Sequence, residues 1–155
     1  MSKFNIRVYG IWINEANEIL LSDERIGDFK FTKFPGGGLE YGEGLCDCLI
    51  REWNEELNVD IEVLDHIYTT DFFQRSAFND SQVISVYYLV RPCKEPDCQY
   101  KTVAFDFDLL DEEECVFRWK KVSDISEEDV TLPIDKKVVR ILISRTHGND
   151  AGPLS

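Results

Sequence analysis

Residues 37–59 read GGLEYGEGLCDCLIREWNEELNV. Wound at about 100° per residue, Leu45, Leu49, Trp53 and Leu57 form one apolar stripe, widened by Cys46 and Ile50, and this spacing predicts a helix over 45–57. Glu52, Glu55 and Glu56 then share an arc of roughly 100° along one edge of the stripe. Arg51 lies beside Glu55 on the same wheel, where its planar fork can hold a carboxylate in a fixed direction. Ahead of the helix, Phe34-Pro35-Gly36-Gly37-Gly38 is turn material whose backbone can approach the helix closely. Asn58 falls just past the last helical position, where a left-handed cap is expected.

Three carboxylates on one helical edge repel by a few tenths of a kcal/mol per exposed pair. A hard cation between them turns repulsion into attraction, and Mg²⁺ or Mn²⁺ selects such oxygen-rich, partly hydrated sites. A backbone carbonyl of the glycine turn can add a ligand. A solvated acidic face would account for Glu55-Glu56 alone. The full spacing G-x5-E-x7-R-E-U-x-E-E (U a bulky apolar residue), met by Gly37, Glu43, Arg51, Glu52, Trp53, Glu55 and Glu56, favours a functional site. Six fixed identities at a background near ~7% coincide by chance at about 10⁻⁷ per starting position.

Outward from this segment, Phe4 to Ile13 alternates as a strand, Asn14 to Asn17 turns, and Glu18 to Glu24 is expected to return as the second strand of a hairpin. Gly27 to Lys33 is expected to be a loop. Asp60 to Phe73 and Gln82 to Val90 carry strand composition, with a polar loop over Gln74 to Asp80. Cys93 to Gln99, flanked by Pro92 and holding Pro96, is a loop, and Val103 to Leu109 is a candidate short strand. Asp111 to Glu114 forms an acidic loop before a strand over Cys115 to Val122. Pro133 opens a helix over 134–146, with Ile134, Val138, Ile141 and Leu142 as its buried stripe. The expectation is one domain over 1–146 and a fraying tail over 147–155.

The net charge of −13 disfavours binding to nucleic acid or to an anionic membrane, since phosphate contacts need Lys and Arg. It leaves open a small phosphate ester bridged by cations. The first residues, MSKFNIRVYG, lack the pattern of a secretion signal, and no apolar run approaches ~20 residues. Five cysteines, an odd number, fit reduced thiols and a cytoplasmic setting. Cys46 and Cys48 lie about 200° apart on a helix and cannot clasp one ion, and His66 and His147 are distant in sequence, so packing and surface thiols replace a zinc reading. His66 reads as structural.

The 37–59 segment resembles the signature box of the Nudix hydrolases, G-x5-E-x7-R-E-U-x-E-E-x-G-U, matched through Val59 with Asn58 in place of the second glycine. The lead-in Pro35-Gly36-Gly37, with Glu40 and Gly42, is similar too. The resemblance implies an α/β fold, the family's α/β/α sandwich with a mixed sheet, and cleavage of a diphosphate with divalent metal, Mg²⁺ or alternatively Mn²⁺. It implies Glu52, Glu55 and Glu56 as metal ligands, the Gly36 carbonyl as a backbone ligand, and Glu52 or a downstream carboxylate as general base. Gly37, Glu43 and Arg51 take the supporting role, with Glu43 and Arg51 as the pair that braces loop and helix. A further carboxylate is implied in Asp111-Glu112-Glu113-Glu114, and Glu113 is the choice among the four. Asn58 should cost a little stability and no catalysis.

The implied substrate is a small nucleotide, a nucleoside triphosphate or nucleotide sugar. Absence of proline between Pro35 and Pro92 disfavours the ADP-ribose subclass. Phe72, Phe73, Phe78, Tyr68 and Trp12 are aromatic candidates for stacking on a base, although each such residue is more often core. Arg75 and Lys33 are candidates for phosphate, with surface charge the simpler reading. The rival is a Nudix-like module that binds a nucleotide without turning it over, which retention of Glu52, Glu55 and Glu56 disfavours. An isomerase on the same scaffold needs an active-site cysteine that the sequence does not display. A homodimer is a further expectation by analogy, with Phe72-Phe73 as the exposed run.

Overall fold

The computed structural model describes residues 3–147. They divide into two compact units, one holding the chain up to Trp12 together with Pro35–Asp97, the other Ile13–Phe34 and the chain from Cys98 onward. Among the described residues no helix is long and apolar enough to cross a membrane.

The first unit contains a four-stranded mixed sheet and the carboxylate helix. Strand β1 (Phe4–Ile11) runs parallel to β6 (Gln82–Pro92) and antiparallel to the short β4 (Gly36–Gly38). β5 (Ile61–Thr69) completes the order β4-β1-β6-β5, with register shifts on either side of His66. Helix α1 spans Leu45–Leu57 as expected and packs on β1, β4 and β5. Leu49, Trp53 and Leu57 are fully buried, each contributing roughly 1.5–3 kcal/mol of apolar burial. The widening of the stripe differs from expectation: Cys46 is exposed and Leu45 half-buried, while Cys48 is fully buried. Cys48 lies under the glycine strand, where its thiol donates to the Gly38 carbonyl at 3.5 Å, so the core side of the helix is tilted toward β4.

The second unit holds a three-stranded antiparallel sheet, β3-β2-β7, and helix α2 (Pro133–His147). β2 (Glu18–Ile26) does not form the expected hairpin with β1; a lone bridge, Ile13 to Ile19, is what remains of it. Its hairpin partner is β3 (Phe29–Lys33), a strand where a loop was expected. The two-residue tip Gly27-Asp28, with Gly27 at φ +58°, closes this hairpin. β7 (Glu113–Lys121) pairs with β2 along Glu18–Ile26, so Glu113 and Glu114 begin a strand rather than end a loop. Val103 to Leu109 is not a strand. Phe105 and Leu109 take φ +58° and +60°, and the Phe105 N–H is used by the carboxylate of Asp23 at 3.1 Å. Asp23, fully buried, also accepts from Thr32 Oγ1 and Arg118 Nε, each at 2.7 Å, so three donors satisfy its charge. On α2, Ile134, Val138, Val139 and Leu142 are buried and Ile141 is half-buried. Of the tail expected from His147, residues 148–155 lie outside the described residues and His147 closes α2.

α1 ends at Asn58, whose φ of 52° and ψ of 41° place it in the left-handed region, its N–H bonded to the Asn54 carbonyl at 2.9 Å. Asn58→Ala is expected to lose roughly 1 kcal/mol of stability and Asn58→Gly to gain a few tenths or more, read from urea denaturation midpoints.

Candidate active site

The chain from Gly36 to Glu56 folds back so that the glycine strand lies over the edge of α1. Pairing with β1 fixes that strand, with Gly36 opposite Tyr9, Gly37 opposite Val8 and Gly38 opposite Arg7. A Cβ built on Gly37 would lie 2.5 and 2.6 Å from the two Glu52 carboxylate oxygens. A Cβ at 37 could be admitted only if the Glu52 carboxylate moved away, so glycine at 37 is what lets Glu52 keep this seat. Gly36, at φ +150°, would drive a Cβ into the Val8 carbonyl and the Tyr9 backbone, which restricts that position to glycine.

Arg51 connects the pieces. Its Nε and Nη2 bind the two oxygens of Glu43 at 3.0 and 2.7 Å, a fork-to-fork pair. Nη2 also donates to the Gly38 carbonyl at 3.1 Å. Nη1 is shared between Glu52 and Glu55, each at 3.1 Å. Glu40 approaches Nε at 3.8 Å, so one guanidinium meets four carboxylates. The hydrogen bond from Arg51, then that from the Glu40 backbone, depresses Glu43 from 4.5 to about 2, and the same bond to Glu43 raises Arg51 above its ordinary range. Burial and then the Glu43 charge push the Cys48 thiol up to about 12, which leaves it protonated and unreactive.

The structure therefore brings Gly37, Glu43, Arg51, Glu52 and Glu55 together in one network. Glu55 is 58% exposed against 15% for Glu52, and Glu56 follows it on the exposed side of the helix. The donor set along this edge is carboxylate and backbone oxygen, with one cation against an excess of negative charge. Those are the donors a hard divalent cation takes, and they fit Mg²⁺ or Mn²⁺ better than a thiolate-seeking metal.

Glu113 belongs to the second unit, at the start of β7 opposite Ile26. Its neighbours are committed to holding the segment: Arg25 donates to the Asp111 and Glu112 carbonyls, and Glu114 pairs with Arg25 at 3.6 Å and accepts from the Leu110 N–H at 2.8 Å. The Glu113 carboxylate is exposed and makes no hydrogen bond or ion pair among the described residues. Strand alternation sets it on the same side of the sheet as Cys115 and Glu24.

That side carries a polar cluster that sequence reasoning missed. Lys33 is 3% exposed, not a surface charge, and its Nζ pairs with Glu24 at 2.7 Å. Ser22 Oγ donates to Glu24 at 2.8 Å and lies 3.2 Å from Cys115 Sγ. The signal needed was the β2–β3 pairing, which sets Ser22 opposite Lys33. Arg75 is exposed and paired with Asp80 at 3.4 Å, in line with surface charge. Tyr68 and Trp12 are core residues, whereas Phe72, Phe73 and Phe78 are exposed. His66 is exposed on β5, its Nε2 2.7 Å from Thr69 Oγ1.

A family model described as NUDIX domain matches residues 3–141. The chain belongs to the Nudix hydrolase family. Solved structures share its fold. The solution structure of the E. coli ORF135 protein superposes with a TM-score of 0.68 at 18% identity, covering 97% of this chain and 96% of that one. A MutT NUDIX hydrolase from Burkholderia pseudomallei gives 0.66 at 16% identity over 89% and 97%. An ADP-ribose pyrophosphatase from Streptococcus suis gives 0.56 at 17% over 94% and 93%. At these identities the likeness speaks for the mixed α/β Nudix fold alone.

The Glu43–Arg51 brace has a pH signature. Because Glu43 is depressed in the folded state, its contribution is complete above pH 4.5 and drains away as pH falls toward about 2. Wild type should therefore exceed Glu43→Gln in Tm at pH 6, with the gap closing across that window, as followed by circular dichroism.

Proposed function

We propose that this Nudix hydrolase cleaves the diphosphate linkage of a small nucleotide, a nucleoside triphosphate or nucleotide sugar, with Mg²⁺ or Mn²⁺ bound at Glu52, Glu55, Glu56 and the Gly36 carbonyl. The observation that carries this reading is the seat of Glu52 on the Gly37 backbone. It fixes one carboxylate at the mouth of the glycine strand while Glu55 and Glu56 stay exposed beside it. Bound metal would neutralise the diphosphate oxygens and lower the pKa of a coordinated water.

The remaining work falls to the chain's own residues. Arg51 orients Glu52 and Glu55 through a shared nitrogen and takes its own direction from Glu43. Such outer partners hold ligands in the geometry that binding requires. Glu52 or Glu113 serves as general base for the attacking water. Glu113 stays the choice among the four: the Glu114 carboxylate is committed to Arg25, and the Asp111 and Glu112 backbones are held by the same guanidinium. The products are a nucleoside monophosphate and the phosphorylated remainder. The ADP-ribose pyrophosphatase shares the fold at 17% identity, which does not override the missing proline that disfavours that substrate here.

One family model spans both compact units, which supports a single domain over 1–146. A cytoplasmic setting and a homodimer complete the proposal, the first from free cysteines and the second from exposed Phe72 and Phe73.

Glu52→Gln and Glu56→Gln are each expected to lower kcat by ~10²–10⁴-fold in a Mg²⁺-dependent nucleotide panel read by mass spectrometry of products. Wild-type rates in both variants would sink the assignment, and nucleotide binding without turnover by wild type would favour the sensor module instead.

A further inference from the structure

Trp53 sits between the two carboxylates that Arg51 joins, yet its indole faces the opposite way, into the sheet. It is fully buried, and its Nε1–H has no hydrogen-bond partner among the described residues. Buried tryptophan normally finds a partner for that donor, so an apolar residue without it would be the cheaper filler. The shape of the ring must therefore matter. Its contact explains how. A Cβ built on Gly10 would lie 2.7 Å from Trp53 Nε1 and 3.1 Å from Cε2 and Cζ2. The ring rests on the bare backbone of β1 at Gly10, and Trp12 meets it edge-on at 6.2 Å. The same Gly10 donates its N–H to the Pro35 carbonyl at 2.8 Å, at the entry to the glycine strand.

We propose that Gly10 and Trp53 are positioning residues that set the height of α1 above the sheet, and that this height places the Glu52 carboxylate on Gly37. One β1 residue thus holds the helix through its Cα face and the glycine strand through its N–H. The two contacts are separated along α1 by the single step from Trp53 to Glu52, so a helix lifted at Gly10 cannot keep Glu52 in its seat. The pair is a size match: glycine on the strand, tryptophan on the helix. The proposal rests on the metal role given above to Glu52, and its test separates the two.

Gly10→Ala, Trp53→Phe and the double variant are compared with wild type by two readouts. The first is alkylation of Cys48 by iodoacetamide, followed by peptide mass spectrometry without metal, with exposed Cys46 as the internal reference. The second is Mn²⁺ affinity by electron paramagnetic resonance. Gly10→Ala should raise Cys48 labelling relative to Cys46 and weaken Mn²⁺ binding by about tenfold or more, the scale seen when a ligand's support is disturbed. Trp53→Phe removes Cζ2 with the rest of the fused benzo ring and lets the smaller ring shift away from the new methyl, so the double variant should restore both readouts toward wild type. Unchanged labelling and affinity in Gly10→Ala would overturn the proposal, as would a loss that Trp53→Phe does not relieve. Failure of wild type to bind Mn²⁺ would overturn the metal reading, and Cys48 labelling would still decide the Gly10–Trp53 contact.

Discussion

The Glu52 carboxylate lies where a side chain on Gly37 would have to be. This is an excluded-volume constraint, and the rest of the site depends on it. Position 37 of β4 must be glycine for the carboxylate to sit there, and β4 is held in place by pairing with β1. The helix must present Glu52 at that height, which commits Leu49, Trp53 and Leu57 to the core beneath it. Arg51, the neighbour of Glu52, is then carried to the loop side, where Glu43 and the Gly38 carbonyl meet it.

Charge completes the arrangement. Four carboxylates around one guanidinium leave the helix edge strongly negative, which is costly in isolation and favourable beside a divalent cation. The acidity of the chain as a whole, −13, has the same sense at larger scale: it disfavours polyanions such as nucleic acid, and a small diphosphate needs cations to approach. Glu43, depressed to about 2, stays ionised at every ordinary pH and keeps the brace intact.

The carboxylate helix was legible because its signals are local. Apolar spacing set its limits at Leu45 and Leu57, the arc of Glu52, Glu55 and Glu56 followed from helical periodicity, and the left-handed Asn58 followed from its place after the last turn. Pairing between strands was not legible, because it depends on partners distant in sequence. β2 was expected as a strand, but nothing within Glu18–Glu24 says that β3 and β7 flank it rather than β1. Gly27-Asp28 carries a hairpin signal, and the structure uses it where a loop over Gly27 to Lys33 was expected. Missing that hairpin hid Lys33, whose burial against Glu24 exists only because β3 pairs with β2. The segment from Val103 to Leu109 had strand composition, but its backbone answers to the buried charge of Asp23, which propensity does not register.

Gly37→Ala tests the central constraint most directly. The methyl group has no space unless Glu52 leaves its seat. The predicted result is a variant that folds with wild-type helix content, while Mn²⁺ affinity measured by electron paramagnetic resonance drops by about tenfold or more. Wild-type Mn²⁺ affinity and turnover in Gly37→Ala would contradict the account, since Glu52 would then reach the metal without the glycine backbone beneath it.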